Sequence, residues 1–401
     1  MRKWAYMGIP HTGGTYSVFK NLREGLLPHD MELHWIGIGA EQARRLADGT
    51  FDGELRLGTV VAPEESEDNK QGAALVQFFE KGDYEGVFVN ALCGRVATNF
   101  VRYLDSSFPR IMIVHNITVG TYAAARAVHD CVHATVGVSP RIAADLIKHK
   151  GFDRQWTVSI PNAVQMENFE VARRVDPCGL LRVLSLGRVE DGAKGCFLLP
   201  KVISHVRGSG VQVQWQIAGD GPDLAELKRR CNGFSNVQFL GRIPYEHVPQ
   251  VLAEADIYIF PSRYEGFGIS LVEAMAAGCV PVASAIRGVT DSIVEHGKTG
   301  YLFPIGDWRQ AGEHVIQLAE QPARLKEMSV AARESVQSRF SIETVAERYA
   351  GLMGKVLANP RPLRPPLDIQ RWRYPKGLRP GLRTYLPEGI KTRLRVFRES
   401  I

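Results

Sequence analysis

A chain of 401 residues that is 45% hydrophobic has material for large cores in two or three domains. No apolar run approaches the ~18 residues of a membrane span, and the first apolar stretch is cut by Pro10, so neither a spanning helix nor a secretory leader is predicted. The net charge of +6 sits at one end: residues 360–401 hold eleven Lys or Arg against three Asp or Glu, which leaves the rest of the chain at −2. That distribution excludes a basic nucleic-acid-binding body and describes a cationic appendage. Six cysteines, Cys93, Cys131, Cys178, Cys196, Cys231 and Cys279, are scattered with no CxxC, as expected of reduced thiols in a cytosolic protein.

The first half alternates short apolar runs with helical patterns. Lys3 to Ile9 is predicted as the first strand, followed by His11-Thr12-Gly13-Gly14-Thr15 and a helix carrying Val18, Leu22, Leu26 and Leu27. A glycine loop between the first strand and first helix either approaches a ligand or is an ordinary tight turn. Leu33 to Ile38 reads as a strand, Glu41 to Leu46 as its helix, and 61–70 as a polar acidic loop without chemistry. Ala73 to Phe79 is helical, and Gly86 to Asn90, Ile111 to Val114 and Ala134 to Val138 are strands. His115 therefore sits at a strand's carboxyl end, where ligand-binding groups gather in parallel sheets; a structural, hydrogen-bonded histidine is the competing account. Ser139 caps a helix running to His149.

Periodicity is lost between 160 and 180, where Pro177 and Gly179 stand, and an interdomain linker is placed at 166–180. Arg182 to Leu186 opens a second domain, and the loop after it carries Arg188 and Lys194 among glycines. Two cations there can stabilise charge gathering on a diphosphate, Arg188 as a fork and Lys194 as a point charge. Strands follow at Trp215 to Ala218 and Val237 to Ile243, with helices at Leu224 to Cys231 and His247 to Ala255. The stretch from Asp256 to Ser284, DIYIFPSRYEGFGISLVEAMAAGCVPVAS, is the most informative. It reads as strand, glycine loop, helix and strand, one βαβ unit with its loop at the sheet's carboxyl end. Gly266 and Gly268 allow close backbone approach, and the amides of Ile269, Ser270 and Leu271 at the helix start form a natural phosphate site. Glu265 and Glu273 place two carboxylates beside it, which suits a ligand with hydroxyls as well as phosphate. A nucleotide sugar has both. Gly297-Lys298-Thr299-Gly300 is a turn rather than a P-loop. Ala311 to Leu318, Pro322 to Arg339 and Ile342 to Val356 are helical.

Set in PSRYEGFGxxxxEAMAxGxxPV, the glutamate pair resembles the Glu-x7-Glu signature of retaining GT-B glycosyltransferases, in particular family 4. The resemblance implies an α/β fold of two Rossmann-like domains facing across a cleft. The acceptor-side domain would be 1–165, the donor-side domain 181–340, with a helix at 341–358 and a basic Pro/Arg-rich tail at 359–401. Val158 to Val164 is similar to the family's IPNGV segment, with Ala163 in place of glycine, and the Arg188–Lys194 loop is similar to its GR…KG motif, one residue longer than in many members. By the same resemblance Glu273 holds the ribose diol and Glu265 the donor-sugar hydroxyls. Arg188 and Lys194 bind the diphosphate, and His115 with Gly13 and Gly14 faces the sugar. Gly266, Phe267, Gly268, Ile269, Ser270 and Leu271 line the donor, and the backbone near Ile243 faces the base.

The expected activity is transfer of a sugar from a nucleotide diphosphate donor to a hydroxyl on a sugar, a lipid-linked sugar or a small molecule, as in polysaccharide, glycolipid or natural-product glycosylation. No Asp-x-Asp occurs, so no metal or other cofactor is strictly required. A sugar-nucleotide epimerase or hydrolase, and a non-catalytic sugar-nucleotide-binding subunit, are the alternatives. The tail from Pro360 has seven prolines, regular arginines and Trp372, Tyr374, Tyr385 and Phe397. It either packs along the first domain or rests on an anionic membrane surface, giving a cytoplasmic protein with or without peripheral membrane contact.

Overall fold

The computed structural model describes residues 1–11, 13–91, 94–171, 180–379 and 389–391. Thr12, Cys93, Cys178, most of the expected linker and all of the tail from Pro380 except 389–391, with Tyr385 and Phe397, lie outside the described residues. Two compact units result, one of Met1–Ala163 plus the stretch from Ile342, the other of Val164–Ser341.

The first unit is built on β1 (Arg2–Met7), β2 (Met31–Ile38), β3 (Gly58–Val61), β4 (Tyr84–Asn90), β5 (Arg110–Val114), β6 (Ala134–Gly137) and β7 (Thr157–Ser159). All run parallel, in the order β3-β2-β1-β4-β5-β6-β7. Both faces of such a sheet are covered, which is why β5 is apolar and buried along most of its length. Ser139 caps its helix as predicted, its Oγ accepting from the Ile142 amide at 3.4 Å.

The second unit repeats the plan with β8 (Leu181–Leu186), β9 (Val213–Ala218), β10 (Val237–Gly241), β11 (Ile257–Phe260), β12 (Val280–Ser284) and β13 (Tyr301–Phe303), ordered β10-β9-β8-β11-β12-β13. Its core joins Val183, Trp215, Ile257, Val282 and Phe303 of the sheet to helical Val202 and Val315. In each sheet the strand order reverses once, between β1 and β4 and between β8 and β11. Loops leaving those strands diverge and open a crevice at the carboxyl ends, where such sheets bind ligands.

The last helix, Ile342–Ala358, packs on helix Gly14–Leu26 of the first unit. Gly25 permits it: a Cβ there would sit 2.6 Å from that of Ala346. The following residues stay on the same unit. Trp372 stacks on Tyr103 at 4.7 Å between ring centroids, over Gly72, where a Cβ would lie 2.3 Å from the indole. The Leu367 amide donates to the Arg102 carbonyl at 2.8 Å, and Tyr374 Oη donates to Asp68 at 2.7 Å. The start of the expected linker is also committed, since Met166 and Phe169 are buried in the second unit.

Candidate functional site

The corner after β11 is shaped by two glycines. Gly195 ends the short helix Asp191–Lys194 in the left-handed region at φ 62°, and a Cβ there would come within 2.3 Å of the Pro261 carbonyl. Only glycine lets this loop lie against the end of β11. The contact sets Lys194 beside Glu265, Nζ to Oε1 2.5 Å, and Ser262 Oγ donates to the same oxygen at 2.8 Å. Arg263 braces the loop from below, its Nη2 3.1 Å from Asp191 and its amide donating to the Ala193 carbonyl. A single helical turn, Asp191–Lys194, ends on Lys194, which reaches the glutamate.

Gly268, at φ 111°, starts helix Ile269–Ala276. The Ile269 and Ser270 amides have no protein acceptor among the described residues, whereas the Leu271 amide donates to the Gly268 carbonyl at 3.1 Å. The expectation of three open amides is therefore corrected to two: the left-handed start turns the Gly268 carbonyl back onto the third. Phe267 also differs in role. Its ring is buried against Phe340 at 5.8 Å, so only its backbone is offered at the loop. Gly266 stays partly exposed beside it.

Glu273 points into the unit rather than into water and is 6% exposed. Burial raises its carboxyl to about 7, opposed by a hydrogen bond from Tyr245. Beneath lies the buried Tyr258, whose hydroxyl donates to the Leu186 carbonyl at 2.8 Å and is also hydrogen-bonded to Ser270. Burial raises the pKa of that phenol, and the charges of both Glu273 and Glu265 add to the effect. The two carboxylates therefore share one neighbourhood. Arg188 leaves β8 on the adjacent loop, 66% exposed, its Nε 3.2 Å from Glu190. It lines one narrow cleft with Gly187, Lys194, Ser262 and Ser270. Ile243, half-buried, follows the end of β10, where the Gly241 carbonyl accepts from the Gly219 amide at 2.6 Å.

Gly13, Gly14 and His115 belong to the first unit. Gly13 precedes the helix that Gly14 opens; its amide donates to His11 Nδ1 at 2.8 Å, and a Cβ there would strike that ring. His115 follows β5 and hydrogen-bonds Asn90 at 2.8 Å. It lines a pocket of about 770 Å³ with Tyr6, Thr15, Tyr16, Asn90 and Asn116. Among the described residues no group of three or more His, Cys, Asp or Glu is placed to hold a metal. Among the described residues Cys131, Cys196, Cys231 and Cys279 are buried thiols in no disulfide.

Tyr245, Ser262 and Asn90 escape sequence reasoning. Ser262 had a signal, its three-residue spacing from Glu265. Tyr245 and Asn90 become neighbours of Glu273 and His115 only through strand order.

Comparison with known proteins bears on the fold and on the second unit's sequence. Residues 177–335 match the family model described as Glycosyl transferases group 1. N-acetyl-alpha-D-glucosaminyl L-malate synthase of Bacillus anthracis is 31% identical over 150 residues, 37% of this chain and 39% of that protein. Phosphatidyl-myo-inositol mannosyltransferase of Mycobacterium tuberculosis is 30% identical over 231 residues, 56% of this chain and 60% of that one. The match thus spans about half the length of these curated relatives. The crystal structure of Anabaena HepE in complex with UDP and glucose superposes with a TM-score of 0.70 at 18% identity, covering 88% of this chain and all of that one. Two Rossmann-like domains on parallel sheets make this a GT-B fold, and the match to the glycosyl transferases group 1 model lies in its second unit.

Proposed function

We propose that this protein is a retaining glycosyltransferase that moves a sugar from a nucleotide diphosphate donor to a hydroxyl acceptor. The observation that carries the reading is a buried carboxylate, Glu273, on the helix whose first two amides are open, with a Lys–Glu pair at the same strand end. Burying a carboxyl in this way costs stability unless a ligand compensates. Ribose hydroxyls donating to Glu273 would supply that compensation.

In this reading the diphosphate lies at the Ile269 and Ser270 amides, with Lys194 and Arg188 neutralising the charge that develops as the sugar departs. Arg188 exchanges Glu190 for phosphate oxygens. Glu265, already fixed by Lys194 and Ser262, accepts from donor-sugar hydroxyls. His115, Gly13 and Gly14 are assigned to the transferred sugar, and backbone around Ile243 to the base. The leaving phosphate takes the acceptor's proton, so no enzyme nucleophile is required, and cations of the chain serve in place of a metal.

The names of the relatives include a lipid acceptor and a small organic acid, which supports an acceptor hydroxyl on a sugar, a lipid-linked sugar or a small molecule. We place the reaction in the cytoplasm. Among the described residues no helix is long and apolar enough to cross a membrane. Arg371, 87% exposed beside its partner Asp368, and Arg364, beside Asp130, are the cations of the packed tail that we assign to an anionic lipid surface. The test is a thermal-shift screen of UDP-, GDP-, ADP- and TDP-sugars, since a ligand stabilises the state it binds. At least one is expected to raise the melting temperature of the wild type and not of Glu273→Ala; equal stabilisation of both removes the role given to Glu273.

A further inference from the structure

In the first unit's pocket, the hydrogen-bonding polarity of His115 is set by its neighbour. Asn90 closes β4, is 4% exposed, and presents Oδ1 to His115 Nε2 at 2.8 Å. Its amide is held in that orientation, because Nδ2 donates to the Met7 carbonyl at the end of β1, 2.7 Å away. A carbonyl oxygen accepts and never donates, so Nδ2 must face Met7 and Oδ1 must face the imidazole. Oδ1 also only accepts, which puts the imidazole proton on Nε2. Burial keeps the ring neutral, pushing its pKa down to about 4. A neutral ring protonated at Nε2 carries a lone pair on Nδ1. Among the described residues Nδ1 has no protein partner, and the ring lines the pocket of about 770 Å³.

We infer that Asn90 is a positioning residue that fixes His115 as the Nε2–H tautomer, so that Nδ1 accepts a hydrogen bond from a hydroxyl of the bound sugar. The hydroxyl half of this inference rests on the proposed glycosyltransferase reading; the tautomer half does not. The polarity also discriminates. A phosphate or carboxylate oxygen at the same place would set acceptor against acceptor, whereas a hydroxyl supplies the missing proton. The strand order explains how three distant segments cooperate: β1 lies beside β4 and β4 beside β5, so Met7, Asn90 and His115 follow one another across the sheet's carboxyl edge.

The experiment is nitrogen NMR on the full-length protein labelled at histidine nitrogens, near pH 7.5, with His115→Gln identifying the signals. The ligand-free protein is expected to show His115 Nε2 protonated and Nδ1 bare. Saturation with a sugar nucleotide found in the thermal-shift screen should move Nδ1 in the direction of hydrogen-bond acceptance and leave Nε2 in place. A proton on Nδ1 in the free protein overturns the tautomer. Binding with Nδ1 unmoved overturns the hydroxyl contact. Failure of every sugar nucleotide to stabilise the protein defeats the enzyme reading and the hydroxyl contact with it, while the tautomer is decided by the ligand-free spectrum alone.

Asn90→Asp gives a kinetic check. Its carboxylate takes the same Nε2–H, but its charge favours the doubly protonated ring, whose Nδ1 donates. Sugar transfer by that variant should fall about tenfold or more in kcat/KM. Unchanged transfer, with both ring nitrogens shown protonated, contradicts the inference. Should the variant not fold, the wild-type spectra still decide.

Discussion

Glu273→Gln should make the protein more stable while abolishing donor binding. In the folded chain burial holds the Glu273 carboxyl at about 7, against an ordinary value of 4.5. Between those two values the folded state binds a proton that the unfolded state has released. Stability therefore falls as pH rises from 4.5 through 7 and is constant above. At about 1.4 kcal/mol per tenfold, the ionised group costs the fold about 1.4 kcal/mol at pH 5.5 and about 3 kcal/mol at pH 8. Glutamine keeps the shape and an oxygen for Tyr245 but never ionises, so it removes that cost. Equilibrium urea denaturation at both pH values reads the difference. The variant should gain about 3 kcal/mol at pH 8 and roughly half that at pH 5.5. A variant no more stable than wild type at pH 8, or one whose gain does not change with pH, refutes the claim that a buried, strained carboxylate stands at this corner.

Four further outcomes follow from the same geometry. Donor affinity should be about tenfold weaker at pH 6 than at pH 8, because ribose hydroxyls bind the ionised form and Glu273 is about one-tenth ionised at the lower pH; calorimetry showing a flat profile contradicts this. Lys194→Ala leaves Glu265 with Ser262 alone and removes a preplaced cation, so kcat should drop on the order of 10²–10³-fold with unchanged circular dichroism; near-normal turnover takes Lys194 out of the chemistry. Activity should survive a chelator, and an absolute need for added Mg²⁺ or Mn²⁺ would reverse the metal-free reading. Trp372→Ala should destabilise the first unit by about 2 kcal/mol and open residues 359–379 to proteases; no change in either would mean that the tail's contact contributes nothing.

The corner from Asp256 to Ser284 was legible because its signals are local. A buried apolar strand, a glycine with a left-handed backbone and an apolar-periodic helix each follow from neighbouring residues. What sequence alone missed was set by distant ones. Strand β3 is four residues long and opens on glycine at a sheet edge, too short to carry a periodic pattern. Helix Val119–Val128, started by the Thr118 cap, carries six alanines and valines that match either period. The open amides number two because of a carbonyl's direction, which no residue type encodes. Asn90 looks like any strand-ending asparagine until β1 and β5 are placed on either side of it. The Arg- and Pro-rich tail resembles a solvated segment, and its packing depends on Gly72 and Tyr103, some 270 to 300 residues away in the chain.

The central claim is that the corner between β11 and its helix grips a sugar nucleotide by its phosphates and its hydroxyls together. A crystal of the full chain soaked with a sugar nucleotide from the thermal-shift screen tests it directly. Density for the diphosphate at the Ile269 and Ser270 amides, with the ribose against Glu273, is the predicted result. Density elsewhere with that corner vacant would contradict the account.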